Sequence, residues 1–207
     1  MAHETALALR TTTKLLDDLR VPGNEPAWLH IDHRYRPVIA GLALRLGLSQ
    51  ADAEEVAQQT LAEFVRAYRE GRYDRSKGRL SSWILGIAHH TALRLMRESR
   101  GEVHPGATAM SATPDPAGSP DSLRKIWADE RDRSIVSRAM TLLREDSDTD
   151  DRTLLAFELV AMRGVPATEA AQQAGMSVEQ VYVAKSRITK RLRRIVEDLT
   201  DAFERDD

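Results

Sequence analysis

The sequence predicts an all-α protein of two small helical domains joined by a flexible linker. Three observations carry that expectation. Apolar residues recur at three- and four-residue spacing through most of the 207 residues, the period of one helix face. No window alternates convincingly with period two. One stretch, GEVHPGATAMSATPDPAGSPDS at 101–122, holds four of the eight prolines, has no aromatic residue and offers little to bury. Such a segment cannot offset its own ordering entropy and is expected to be extended and mobile. It divides the chain into 1–100, the linker 101–122, and 123–207.

The elements follow in order. PAWLHIDHRYRPVIAGLALRLGL gives one or two helices ending at Gly47. In DAEEVAQQTLAEFVRAY, Leu61, Phe64, Val65 and Tyr68 fall at i, i+3, i+4 and i+7, one helical face. In SSWILGIAHHTALRLMR, Ile84, Ile87, Ala88, Thr91 and Leu95 repeat the pattern, with Ser81 or Ser82 available as N-cap. Beyond the linker, SLRKIWADERDRSIVSRAMTLL and TLLAFELVAMRG read as helices.

The last elements are the most specific. In VPATEAAQQAGMSVEQVYVAKSRI, a short helix begins near Pro166, a residue tolerated in a first turn, and stops at Gly175, suited to a left-handed C-cap. Ser177 opens a second helix, and Gln180 three residues on makes a capping box. A small residue, a glycine turn, a cap and a second helix describe a helix-turn-helix. Ala171 allows close approach, and Met176, Val178, Val181 and Ala184 fill the space between. If Val181, Ile188, Leu192, Ile195 and Leu199 face the core, then Ser177, Glu179, Gln180, Tyr182, Val183, Lys185, Ser186, Arg187 and Lys190 lie on or near the outward side. Residues near that helix start would reach base edges in a major groove, while the cations downstream hold phosphates. An αα-hairpin with a charged exterior is the plainer alternative.

Composition bounds the function classes. There is no cysteine, which excludes disulfides and thiolate metal sites. No apolar run is long enough for a signal peptide or a membrane span, so a soluble cytoplasmic protein is expected. The net charge of −2 argues against a uniformly basic DNA binder, but the charge is unevenly spread. From Arg66 to Arg100 nine basic residues face three acidic ones, and a second block of six cations lies in 185–194. Two basic patches in a near-neutral chain suggest two places that meet phosphate. Acids dominate REDSDTDD at 144–151, which reads as solvated charge, with a partner surface as the other reading. His30 and His33 lie three apart, but the adjacent His89 and His90 diverge by about 100° on a helix and cannot readily share one metal, and no nearby carboxylate set completes either site. Neither a phosphate-binding glycine loop nor a nucleophile motif is present, so no enzyme and no cofactor is expected.

At this point RGVPATEAAQQAGMSVEQVYVAKSRITKRLR resembles region 4 of bacterial RNA polymerase sigma factors of the extracytoplasmic-function type. RYRPVIAGLALRLGLSQADAEEVAQQTLAEFVRAY is similar to sigma region 2, and RLSSWILGIAHHTALRLMRESR to its tryptophan-centred segment that binds the promoter −10 element. The resemblance covers nearly the whole chain, in family order. It implies a non-enzymatic protein that lends promoter specificity to core RNA polymerase, with region 2 on the β′ coiled coil and the melted −10 strand. Region 4 would bind the −35 duplex and the β flap. Carried over by motif, Asp52, Glu54, Glu55, Gln58 and Gln59 match the polymerase-contacting helix. Arg79, Ser82, Trp83, His90, Arg94 and Arg97 match the −10 segment, with His90 standing where the family usually has asparagine. An anti-sigma protein is a further partner that many relatives have.

The residues temper this picture. Trp83 opens an apolar helix and is expected to pack in the core, with stacking on a base as the other reading. The acids at Asp52, Glu54 and Glu55 repel DNA and suit a protein partner, but acids also favour any helix start. Pro166 replaces the usual polar cap, and its helix is rich in alanine. The rival function is a stand-alone helix-turn-helix regulator acting as a dimer, whereas the sigma reading expects a monomer when free.

Overall fold

The computed structural model describes residues 17–21, 23–99, 119–146 and 149–204. Most of the expected linker, 101–118, and residues 1–16 lie outside the described residues. All the regular structure among the described residues is helical. It falls into two compact units, one holding the described residues through Ser134 and the other Ile135–Phe203.

In the first unit, α1 (Glu25–Arg45) is a single helix with Pro37 inside it. Asn24 caps it, its Oδ1 accepting from the Ala27 N–H at 3.4 Å. Its end is a left-handed glycine turn: Gly47 has φ +95°, and the Leu48 N–H reaches back to the Ala43 carbonyl at 3.1 Å. Ser49 caps α2 (Gln50–Arg69), accepting from the Asp52 N–H at 3.2 Å. A loop with a short 3₁₀ turn, Arg75–Lys77, leads into α3 (Leu80–Ser99). Leu61, Phe64, Val65 and Tyr68 are buried as their spacing requires, as are Ile84, Ala88, Thr91 and Leu95. Ser81 and Ser82 are not caps. The helix already begins at Leu80, and the Arg79 carbonyl accepts from the Trp83 N–H at 3.1 Å.

α4 (Pro120–Glu145) starts earlier than its composition suggests. Pro120–Ser122, assigned to the linker from sequence, form its first turn. Ser119 Oγ accepts from the Ser122 N–H at 3.1 Å, and proline is preorganised for that position. The helix gives its residues through Ser134 to the first unit. There Trp127 is buried, its ring stacked with that of Tyr35 at 6.5 Å. Glu130 is also buried and its carboxylate sits over Gly41, where a Cβ would lie 2.5 Å from Oε2. Gly41 therefore makes room for an acid.

In the second unit, Ile135, Ala139 and Leu143 of α4 pack with Phe157, Ile188, Ile195 and Leu199. α5 (Asp151–Phe157) continues into a π-helical turn, Glu158–Met162, where a plain α-helix is expected from sequence. α6 (Ala167–Ala174) and α7 (Val178–Glu204) complete the unit. A second apolar cluster, made largely of alanines, joins α5, α6 and α7 through Ala156, Leu159, Ala170, Ala171, Ala174, Val181 and Ala184. Small side chains let these backbones approach closely, with less buried area per contact.

The acidic stretch at 144–151 is not simply solvated. Asp146 is buried in an ion pair with Arg191, and Arg191 Nη1 also donates to Thr149 Oγ1 at 2.9 Å. Arg144 pairs with Glu158 at 2.8 Å. A buried carboxylate persists only when paired and hydrogen-bonded, so Arg191 is committed inward.

Candidate nucleic-acid interfaces

The first site lies where the α2–α3 loop meets the start of α3. Phe64 and Tyr68, one turn apart on α2, form the base of an aromatic ladder, with ring centroids 5.9 Å apart. Tyr73 in the loop stands 6.1 Å from Tyr68 and stacks on Trp83 at 5.2 Å with a 22° interplanar angle. Phe64 meets Trp83 edge-on at 5.6 Å. Each contact is in the range where aromatic pairs attract beyond their burial. Burial pushes the Tyr68 hydroxyl above its ordinary value, against the opposing pull of the Arg20 guanidinium over its ring.

The loop is held by its own polar groups. The Tyr73 hydroxyl donates to the Gly78 carbonyl at 3.3 Å. Asp74 accepts from the Ser76 hydroxyl at 2.7 Å and the Ser76 N–H at 3.0 Å. These bonds, the hydroxyl first, hold the Asp74 carboxyl below the usual aspartate value. The result is an open cavity of about 310 Å³ lined by Tyr73, Ser82 and Trp83, with Arg72, Lys77 and Arg79 among its walls. Trp83 is thus only half-buried: it packs on Phe64 and also lines the cavity.

The other residues of the expected −10 set separate from this cavity. Arg94 bonds the Gln59 side chain, pairs with Glu98 at 3.9 Å, and lines a shallower cavity of about 390 Å³ with Arg66 and Glu63. Arg97 turns its Nε to the Leu93 carbonyl at 3.1 Å. His90 is exposed on α3, its ring 6.1 Å from that of His89. His90 and Arg97 line neither cavity. Tyr73, Arg72 and Lys77 were not singled out as site residues from sequence. Only the tyrosine's place in a basic loop hinted at it.

The acids and glutamines assigned to a protein partner share the first half of α2. Glu54, Glu55 and Gln58 are exposed, and Asp52 and Gln59 are half-buried. Asp52 Oδ2 accepts from Ser49 Oγ at 2.7 Å, so it completes the helix cap. Glu54 lies 3.7 Å from Arg36, whose guanidinium is held mainly by Asp32 at 2.6 Å. The Asp32 hydrogen bond is also the main reason the Arg36 pKa is raised further.

The second site is the α6–α7 pair. Gly175 sits at φ +61° and ψ +43°, the left-handed conformation that favours glycine, and the Met176 N–H reaches the Ala171 carbonyl at 2.9 Å. The capping box forms as its spacing predicts. The Ser177 N–H donates to Gln180 Oε1 at 2.8 Å, and the Gln180 N–H to Ser177 Oγ at 3.2 Å. Val181, Ala184, Ile188, Ile195 and Leu199 are buried, and Leu192 is partly so. Ser177, Glu179, Gln180, Tyr182, Val183, Lys185, Ser186, Arg187 and Lys190 are all exposed. Arg152 was missed: its Nε donates to the Ala174 carbonyl at 3.0 Å and its guanidinium lies beside Gly175. A contact between residues 22 positions apart leaves no local trace in the sequence.

Residues 31–102, from the second turn of α1 to just beyond α3, match the family of sigma-70 region 2. The match supports a sigma factor with a part in promoter recognition. The aromatic cavity lies wholly within the matched residues, whereas α4 to α7 lie beyond them. No curated protein matches the chain. No described helix is long and apolar enough to cross a membrane, and no metal-binding group of side chains occurs among the described residues.

Proposed function

We propose that the chain is a sigma factor of the extracytoplasmic-function type that docks on core RNA polymerase and selects promoters. Region 2 engages the melted −10 strand, and the α6–α7 pair acts as region 4, a helix-turn-helix placed in the −35 major groove. The observation that carries this reading is the cavity of region 2. A base pulled from its stack needs a new π surface, and its phosphates need cations. Tyr73 and Trp83 supply the first, Arg72, Lys77 and Arg79 the second. His90, Arg94 and Arg97 continue along α3 and would follow the strand away from the cavity.

Asp52, Glu54, Glu55, Gln58 and Gln59 form the surface for the β′ coiled coil, and the region 4 unit takes the β flap. The free protein is a cytoplasmic monomer that binds promoter DNA weakly. Two small DNA contacts gain effective concentration once both are fixed to polymerase. Run-off transcription with core polymerase on a genomic promoter library tests the reading. Transcripts that depend on the chain and share −10 and −35 motifs are expected. Tight sequence-specific binding by the isolated chain at physiological salt, or no association with core polymerase, overturns it.

A further inference from the structure

Resting on the reading of α7 as a major-groove helix, we infer that it reads a cytosine–thymine edge through Glu179 and Val183. Gln180, the residue otherwise suited to adenine, is withheld from that role.

Helix periodicity sets the outward line. The buried residues of α7 are Val181, Ala184, Ile188 and Ile195, and the direction opposite to them passes through Glu179, Val183, Ser186, Lys190 and Arg193. From the helix start the line reads acid, apolar, hydroxyl, cation, cation. Its first two turns therefore face a partner with an acceptor and a methyl-sized apolar surface before any positive charge appears. Val183 is 66% exposed and Tyr182 beside it 58%, the two most exposed large apolar side chains of the described protein. The cations that follow are unengaged: among the described residues Lys185, Arg187, Lys190, Arg193 and Arg194 form no ion pair, whereas Arg191 is drawn inward to Asp146. A partner with negative charge flanking an uncharged, partly apolar edge complements this surface, and a DNA groove has that composition.

The capping box decides the base chemistry. Adenine is read by a glutamine that uses its carbonyl and its amide together, accepting from N6–H and donating to N7. The Gln180 carbonyl is already committed to the Ser177 N–H at 2.8 Å. That bond ties the Gln180 side chain to the helix start, so a two-point contact with adenine competes with the cap. Glu179, one residue earlier and on the outward line, is acceptor-only when ionised; its own backbone N–H and the Ser177 hydroxyl hold it in that form, and the carboxylate has further lone pairs to offer a base. An acceptor-only carboxylate pairs with the cytosine amino group, whereas beside the adenine amino group it meets the N7 acceptor, and a valine packs on the thymine methyl.

The test uses the full chain assembled with core polymerase. Duplexes randomised across the −35 position are selected for holoenzyme binding, with the chain unaltered, Glu179→Gln, Val183→Ala and Lys190→Ala. The unaltered protein should enrich a cytosine next to or near a thymine. Replacing that thymine with uracil removes only a methyl group and should weaken the unaltered holoenzyme several-fold, yet leave Val183→Ala unchanged. Glu179→Gln should cut the preference for cytosine by roughly five-fold or more, the range of one good base contact. Lys190→Ala should lower affinity evenly across sequences. All of these side chains are exposed, so folding is preserved. If Glu179→Gln and Val183→Ala keep the unaltered base preferences and only shift overall affinity, the inference is wrong although α7 still reads DNA. If the unaltered holoenzyme shows no sequence preference there, the region 4 reading falls and takes this inference with it.

Discussion

The two candidate sites are made rigid in opposite ways. The cavity beside Trp83 is held by side chains far apart in sequence, four rings joined in a closed circuit of contacts from Phe64 to Trp83. The α6–α7 turn is held by backbone geometry within a few residues: a left-handed glycine, a reciprocal cap and alanines too small to hold backbones apart. The first design presents π surface and suits bases out of their stack. The second fixes the angle of a helix start and suits a duplex, whose edges stay where the helix must find them. The difference teaches that ring packing fixes a place, while caps fix a direction.

Substitutions can break the comparison, beginning with the largest effect. Phe64→Ala removes a fully buried ring from the centre of the ladder and should cost about 3–5 kcal/mol. Urea unfolding followed by tryptophan fluorescence measures it; a loss below about 1 kcal/mol would mean that the rings are not one packed unit. Next, Tyr73→Ala should weaken holoenzyme binding to a single-stranded −10 fragment by about 1–3 kcal/mol, the scale of one base–aromatic stack. Tyr73→Phe keeps the ring and should retain most of that affinity, which equilibrium fluorescence titration can compare. Equal losses for both would assign the role to the bond between the hydroxyl and Gly78 instead.

Smaller again, Ser177→Ala removes one half of the capping box and should lower the thermal stability of the second unit by about 1 kcal/mol. Circular dichroism melts detect it, and Ser177→Asp, which can still cap, should restore it. Last comes the pH dependence of the loop. The Asp74 carboxyl is held below its ordinary value in the folded loop, so its contribution is present above the usual aspartate pKa. That contribution is lost as pH falls through the lowered value. The part of the fluorescence that Trp83→Phe removes should therefore change at acid pH, and Asp74→Asn should flatten the change.

What could be read from sequence follows the same division. Gly175, Ser177 and Gln180 act on neighbours within three or four residues, and spacing alone placed them. The buried faces of α2, α3 and α7 followed from periodicity for the same reason. Contacts between distant residues were not legible. Nothing in the order of residues pairs Tyr73 with Trp83, Arg152 with the Ala174 carbonyl, Arg94 with Gln59, or Arg191 with Asp146. Arg191 shows the cost of judging by charge alone, since one of six cations in a basic run turned out to be structural. Composition misplaced the start of α4, because Pro120 reads as a breaker until Ser119 is seen to cap the turn that contains it.

The stacking of Trp127 on Tyr35 has a practical corollary for anyone dissecting the chain. A fragment stopped at residue 100 would keep every helix of the matched family segment, yet expose one face of a phenol ring and leave the notch at Gly41 empty. Such a piece would be sticky, and its poor behaviour would be misread as intrinsic weakness. Cutting after residue 134 keeps the first fifteen residues of α4 as a built-in cover, and the severed half should then behave as a well-mannered protein.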